Sequence, residues 1–375
     1  MKITITAIKA DTGSLGGHVV PDPKMKEAIS KMMEAEKGVS IIDYHVQSVG
    51  DDIAIVMTHT KGEDCSEIHE LGWKAFLKST EIAETLGLYG AGQDLLADSF
   101  SGNIRGMGPA IAEKEIEERK GETIIVFQAD KTEPGAYNLP LYLMFNDPMH
   151  NSGLMLSPKM KEGFNFEVID VEETEFNSVV SLNAPEEIYD IAALIRNNHK
   201  FIVEKVFSRT TGEIAAVNCT TRLNLIAGKY VGKDDPIMLV RAQGGFPATG
   251  EILSPFTLAH YVSGFMRGSH IGPLKPVKVN TGLSFFDGPP IVSACAFNVK
   301  NGKFTNFVDC FADQFWDTIR DKANQKALYI REQGFSGPAM LEDKELEYGG
   351  IMDKLDRLKD RFEARKKVLS KKVKN

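Results

Sequence analysis

Aspartates placed where strands should end carry the strongest chemical signal in this sequence. Asp11 closes an alternating stretch, and Asp51-Asp52 follow Gly50 in a tight turn. Asp130 ends an apolar run, and Asp234-Asp235 follow Lys233 in Gly-Lys-Asp-Asp-Pro. Adjacent carboxylates repel unless a cation neutralises them. Mg2+ takes hard oxygen ligands in octahedral array, commonly one or two carboxylates with substrate phosphates and water. Each pair alone is also what a solvated turn looks like. Two pairs and two strand-end singles, each beside Gly or Lys, point to several metals. His18, in a glycine loop directly after Asp11, and Gln93, in Gly-Ala-Gly-Gln-Asp, offer a nitrogen and a carbonyl oxygen near the same candidates.

The segment Ala-Gly-Lys-Tyr-Val-Gly-Lys-Asp-Asp-Pro (227–236) reads blandly as a charged turn between strands. Its sharper reading makes a lysine an amine nucleophile. Such an amine must spend time neutral, which neighbouring carboxylates oppose. Metal on Asp234 and Asp235 reverses the local charge and favours the neutral amine of Lys233. Tyr230 is close enough in sequence to move the proton that carbon–carbon chemistry requires. Arg105, Lys131 and Arg267 are available as clamps for an anionic substrate.

Other chemistries are disfavoured. The glycine clusters do not build G-x-x-x-x-G-K-[ST] or join a strand to a helix, so a nucleotide loop is not indicated. Cys65, Cys219, Cys295 and Cys310 show no C-x-x-C spacing, against zinc ribbons and redox pairs. With 44 basic and 52 acidic residues the net charge is −8, which repels nucleic acid and anionic lipid. An anionic substrate must therefore be met by local cations. No apolar run approaches the roughly 20 residues of a membrane helix. The N-terminus alternates like a strand instead of an export signal, so a cytoplasmic protein is expected.

The elements that must position these groups follow from periodicity. Strands are expected at 3–9, 40–48, 53–59, 123–127, 164–171, 177–182, 201–207, 213–219, 236–242, 292–299 and 303–309. Helices are expected at 24–37, from an Asp64 N-cap onward with Leu77 on the buried face, at 111–119, 185–197 and 313–333. A C-terminal amphipathic helix is expected at about 351–370. Residues 88–110 and 132–148 read as glycine- and proline-rich loops of the kind that carry function. Hairpins without regular βαβ alternation favour an α+β layered sandwich, with 1–375 as a single catalytic domain.

With these residues in hand, the chain resembles the archaeal-type fructose-1,6-bisphosphate aldolase/phosphatase family from about residue 3 to Tyr348. The matching blocks include Lys-Ala-Asp-Thr-Gly-Ser (9–14) with His18, Val-Gly-Asp-Asp (49–52) and Gly-Leu-Tyr-Gly-Ala-Gly-Gln-Asp-Leu-Leu (87–96). Asp-Ser-Phe-Ser-Gly-Asn-Ile-Arg-Gly (98–106), the 129–141 and 222–236 segments, Met-Arg-Gly-Ser-His (266–270) and Phe-Asp-Gly-Pro-Pro (286–290) complete them. The resemblance implies a four-layer α-β-β-α sandwich, a homo-octamer and a bifunctional gluconeogenic enzyme with several Mg2+ ions per site. It would condense dihydroxyacetone phosphate with glyceraldehyde 3-phosphate and then hydrolyse the 1-phosphate of fructose 1,6-bisphosphate.

By the same resemblance Lys233 is the Schiff-base lysine and Tyr230 the aldol proton donor. Asp11, His18, Asp51, Asp52, Gln93, Asp130, Asp234 and Asp235 are the magnesium ligands. Tyr89, Gly102, Asn103, Lys131, Gln243, Arg267, Asp287 and Tyr348 are the substrate contacts. The alternatives are a monofunctional Mg-dependent sugar bisphosphatase and a non-catalytic sugar-phosphate sensor. Both fit poorly with a complete set of motif residues.

Overall fold

The computed structural model describes residues 1–95, 108–172, 178–219, 221–222, 234–262, 270–283, 288–332 and 351–364. Its strands are β1 (Lys2–Asp11), β2 (Asp43–Val49), β3 (Asp52–His59), β4 (Ala110–Glu117), β5 (Glu122–Asp130), β6 (Phe164–Asp170), β7 (Ser178–Ala184), β8 (Phe201–Ser208) and β9 (Ile214–Asn218). They continue with β10 (Thr221–Arg222), β11 (Ile237–Ala242), β12 (Tyr261–Val262), β13 (Gly272–Pro273), β14 (Lys275–Pro276), β15 (Ile291–Lys300), β16 (Lys303–Phe304), β17 (Val308–Asp309) and β18 (Glu363–Ala364). The helices are α1 (Pro23–Glu36), α2 (Ser66–Thr85), α3 (Asn138–Phe145), α4 (Gly153–Leu156), α5 (Ile188–Ile195), α6 (Thr249–Leu253), α7 (Phe315–Glu332) and α8 (Ile351–Lys359).

The strands form a five-stranded sheet ordered β10-β4-β1-β3-β2 and a larger one ordered β14-β15-β5-β11-β9-β8-β6-β7-β18, with β16 and β17 also on β15, while β12 and β13 pair with each other. β1 shows why they stack. Its β-branched alternation puts Ile3, Ile5 and Ala7 on one face and Ile8 and Ala10 on the other, and both faces are buried. The first face packs against Ile124, Val126, Ile237 and Leu239 of the larger sheet. The second packs against Met25, Ile29 and Met33 of α1 and Ile68, Leu71 and Ala75 of α2. The larger sheet's outer face buries Phe127, Val240 and Val203 against Leu141 of α3, Ile191 of α5 and Ile319 of α7. The result is an α-β-β-α sandwich. No helix among the described residues is long and apolar enough to cross a membrane.

Local chemistry supports the helices where they were expected. Asp22 caps α1 by accepting the Lys24 N–H at 2.8 Å, and Pro23 stands at the first position, where its missing N–H costs nothing. In α2, Gly72 lets the helix press on the sheet: a Cβ there would lie 2.7 Å from Ile8 Cδ1.

Five expectations are corrected. Residues 111–119 are not a helix; most of them belong to β4, because Ala110 and Ala112 fit the space between sheets and the charges find partners on β1 and in the turn before α2. Lys2 pairs with Glu115 at 2.6 Å, and Lys114 with Glu63 at 2.8 Å. Tertiary pairing here overrides helix propensity. The 132–148 segment is not merely a loop, since a 3-10 turn at Pro134–Tyr137 and α3 bury its apolar residues. Asp64 does not cap α2; it takes a left-handed φ of 58° and Cys65 precedes the helix. Leu77 faces outward, 40% exposed. The C-terminal helix stops at Lys359 instead of running to about 370. Phe362 then turns onto the larger sheet's core and β18 pairs with β7.

Candidate active site

Strand parity builds the site. Along the face of β1 that meets the larger sheet the side chains run Ile3, Ile5, Ala7, then Lys9 and Asp11. On β3 the same face runs Val56, Ala54, then Asp52, which lies directly opposite Asp11. On β5 it runs Ile124, Val126, then Gln128 and Asp130. The space between the sheets thus changes from apolar to charged at one end, and Asp11, Asp52 and Asp130 arrive there from three strands. The β2–β3 turn adds Asp51.

Gly50 makes room for this convergence. It has φ 55°, and a Cβ on it would lie 1.5 Å from Asp130 Oδ2. The Asp51 N–H donates to that same oxygen at 3.3 Å. Asp51 is gripped from both sides: Lys131 Nζ donates to Oδ1 at 2.7 Å, and His18 Nδ1 lies 2.9 Å from Oδ2. Lys131 also approaches Asp130 Oδ1 at 3.2 Å. Buried Lys9 is ion-paired with Asp52 Oδ2, and the Gln128 amide donates to the Asp52 carbonyl at 3.1 Å. Asp11 Oδ1 accepts the Gly13 N–H at 2.9 Å, and the Asp11 N–H donates to Asp94 at 2.9 Å.

Two loops close around the cluster. Gly92 N–H donates to the Thr12 carbonyl at 3.1 Å and Ser14 N–H to the Tyr89 carbonyl at 3.0 Å, which brings Gln93 and Tyr89 beside the end of β1. The Tyr89 ring stands edge-on to His18, centroids 4.9 Å apart. Asp235 exchanges two 2.8 Å bonds with Thr132, through Oδ1 and through its own N–H. Asp234 is its neighbour in the same turn. Lys131 and Asp235 both have positive φ, 62° and 52°, a strained choice for non-glycine residues that recurs at functional sites.

The electrostatics show a shortage of positive charge. Burial, then neighbouring Asp51, Asp52 and Asp94, push Asp11 well above the ordinary carboxylate range. Burial raises Asp130 in the same way, with Asp51, Asp52 and Asp235 adding to it against Lys131. Burial carries Asp52 up to about 7 even though Lys9 opposes it. Burial also works against Asp51, yet Lys131 and His18 outweigh it and hold that carboxyl low. Lys131 is held well above its usual value, its acidic neighbours overcoming burial. Among the described residues, four buried carboxylates share two ammonium groups, a balance that further cations would improve.

A divalent cation fits this donor set. Two groups of ligand atoms lie within 4.8 Å of one another, Asp11-His18-Asp51 and Asp51-Asp52-Asp130. A cation with oxygen ligands at about 2.0–2.1 Å places adjacent ligands about 3.0 Å apart and opposite ones about 4.2 Å apart. His18 Nδ1 is 2.9 Å from Asp51 Oδ2 and 4.0 Å from Asp11 Oδ2. Gln93 Oε1 is buried with no hydrogen-bond partner among the described residues, which leaves it open to a ligand.

Of the residues expected from sequence, Asp11, His18, Asp51, Asp52, Gln93, Asp130, Asp235, Lys131 and Tyr89 come together, with Asp234 alongside. Lys233, Tyr230, Gly102, Asn103, Arg105, Arg267, Asp287 and Tyr348 lie outside the described residues. Gln243 does not join the cluster within one chain. β11 runs antiparallel to β5 with Ile237 opposite Gln128 and Ala242 opposite Thr123. Gln243 therefore lies roughly 25 Å from Asp130 at strand rise. Sequence reading missed Lys9 and Asp94. The signal for Lys9 was its parity, since it continues the inward-facing row of Ile3, Ile5 and Ala7.

Buried carboxylates, an imidazole and ammonium groups at the rim of a sandwich make a site that could hold a metal ion, as suits an enzyme of the phosphate-handling kind. The chain belongs to the fructose-1,6-bisphosphatase family, whose model matches residues 2–363. It is 53% identical over 376 residues to the fructose-1,6-bisphosphate aldolase/phosphatase of Ignicoccus hospitalis, covering 100% of this chain and 96% of that protein. It is 50% identical to the protein of the same name from Thermus thermophilus, covering 96% and 100%. With that of Pyrobaculum neutrophilum it shares 49% identity, covering 100% and 98%.

Proposed function

We propose that this protein is a bifunctional gluconeogenic enzyme acting in the cytoplasm as a homo-octamer. It condenses dihydroxyacetone phosphate with glyceraldehyde 3-phosphate and then hydrolyses the 1-phosphate of the resulting fructose 1,6-bisphosphate, leaving fructose 6-phosphate. The observation that carries this reading is the convergence of Asp11, His18, Asp51, Asp52 and Asp130 at one end of the inter-sheet space, with Lys131 among them.

Asp11, His18, Asp51, Asp52, Gln93, Asp130, Asp234 and Asp235 would hold several Mg2+ ions. When bound, these neutralise the bisphosphate, lower the pKa of an attacking water and stabilise the leaving oxygen. Lys233 adds through its amine to the ketone carbon of dihydroxyacetone phosphate and water leaves, forming an iminium that draws electrons from the adjacent C–H. Tyr230 handles the proton. The carbon nucleophile attacks the aldehyde, and water then releases the amine. Tyr89, Gly102, Asn103, Lys131, Arg267, Asp287 and Tyr348 would hold the substrate. Gln243, out of reach of its own chain's cluster, could serve as a substrate contact only in the site of another copy.

Borohydride reduction in the presence of dihydroxyacetone phosphate tests the first half, with an adduct expected on Lys233. Lys233→Ala should abolish condensation and leave phosphate release from fructose 1,6-bisphosphate measurable. No adduct, with phosphate release intact, would reduce the protein to a monofunctional bisphosphatase.

A further inference from the structure

Among the described residues, two ammonium groups stand within the carboxylate cluster, and they are held in different ways. Lys9 lies inside β1, a strand paired on both sides by β3 and β4, and it is 1% exposed. Its partner Asp52 is two residues along β3 from Ala54, which sits opposite Lys9. Both ends of this ion pair are therefore fixed by ladders. Lys131 follows the last residue of β5, in a left-handed conformation outside the ladder. Its Nζ reaches back to Asp51 Oδ1 at 2.7 Å and Asp130 Oδ1 at 3.2 Å.

Those oxygens belong to the three-carboxylate set Asp51-Asp52-Asp130. The other oxygen of Asp51, Oδ2, faces His18. Asp130 Oδ2 accepts the Asp51 N–H. A divalent cation bound to Asp51 Oδ1 at about 2.0–2.1 Å would stand a few Å from the Lys131 ammonium, and two cations that close in a buried site repel strongly. The repulsion favours displacement of one of them. Lys131 sits at the rim on a loop and Lys9 does not.

We propose that Lys131 is the exchangeable cation of the site and Lys9 the permanent one. The Lys131 ammonium holds Asp51 and Asp130 together until a divalent cation takes their oxygens; it then swings outward, where it meets a phosphate of the substrate. Lys9 stays on Asp52 throughout as a positioning residue. Metal loading thereby releases the group that receives the anion. This rests on the reading that Asp51, Asp52 and Asp130 bind a divalent cation, and it concerns which lysine yields to it.

Reductive methylation of the full-length protein, stripped with chelator and then titrated with Mn2+, reads the exchange directly by mass spectrometry. Lys131 labelling should rise about fivefold or more at saturating Mn2+, and Lys9 should stay protected in both conditions. Mn2+ affinity, read by electron paramagnetic resonance, should tighten roughly tenfold in Lys131→Met and weaken by a similar factor in Lys9→Met. Unchanged or greater protection of Lys131, or weaker Mn2+ binding in Lys131→Met, would overturn the proposal while leaving the metal site standing. No Mn2+ binding by the wild-type protein would remove both. Labelling of the wild type decides the matter if a variant does not fold.

Discussion

Gly50 and Asp130 occupy the same small space: a Cβ on the glycine would fall 1.5 Å from the aspartate's Oδ2. The turn that presents Asp51 and the strand end that presents Asp130 can approach only because one side chain is missing. Gly50→Ala should therefore displace Asp130 and strain a φ of 55°. We expect phosphate release to fall about 100-fold, the kind of loss a small misplacement causes, with a stability cost of about 1 kcal/mol or more. Activity and thermal melting measured on the same preparation check this. Near-wild-type activity would show that the two segments can move apart.

Asp51 links both candidate cation positions, meeting His18 on one oxygen and Lys131 on the other. Asp51→Asn keeps the shape and removes the charge that both partners need. Mn2+ affinity should drop by at least about tenfold, as even outer residues of metal sites cost that much. Chelation of the wild type should abolish phosphate release, and added Mg2+ should restore it.

Acid should destabilise the fold through buried histidines outside the carboxylate cluster. Burial lowers His45, His59 and His260 to about 4, against an ordinary 6.5. His59 is pinned neutral: its Nδ1 accepts the Lys61 N–H at 3.2 Å and its Nε2 lies 2.8 Å from Thr6 Oγ1. The unfolded chain takes up protons near 6.5 that the fold refuses. Stability from these groups is complete above pH 6.5 and is lost as pH falls from there toward 4. Denaturant melts between pH 7.5 and 4.5 should show the loss, and His59→Gln should flatten it.

The opposite end of the inter-sheet space is closed by charge instead of being opened by it. Fully buried Glu122 receives Arg119 through Nε and Nη2 at 2.8 Å each, and Arg241 at 3.0 and 2.7 Å. Both guanidinium groups lie over the Phe246 ring. Glu122→Gln removes the charge that Arg119 and Arg241 share, leaving Arg241 with Glu213 alone among the described residues. It should cost about 3–5 kcal/mol of stability, while Mn2+ affinity at the far end stays within about twofold. A chemical denaturation curve and a metal titration separate the two effects.

Residue types and strand-end positions singled out the aspartates, His18 and Gln93, which the fold brings to one place, because a metal site would demand hard donors and turns expose them. The same reading could not place Gln243, since being at one end of β11 or the other is a matter of register. It also mistook β4 for a helix, because Ala-Glu-Lys-Glu has helical propensity and only tertiary partners such as Lys2 on β1 and Glu63 in the turn before α2 reverse it. Lys9 shows the boundary between the two sources most clearly. Alternation in the sequence determined that it shares a face with Ile3, Ile5 and Ala7. Only the packing of a second sheet over that face decided that the face was interior, so that a lysine there must find a carboxylate. Burial is a property of what lies opposite, and the distant segments that supply it meet only in the folded chain.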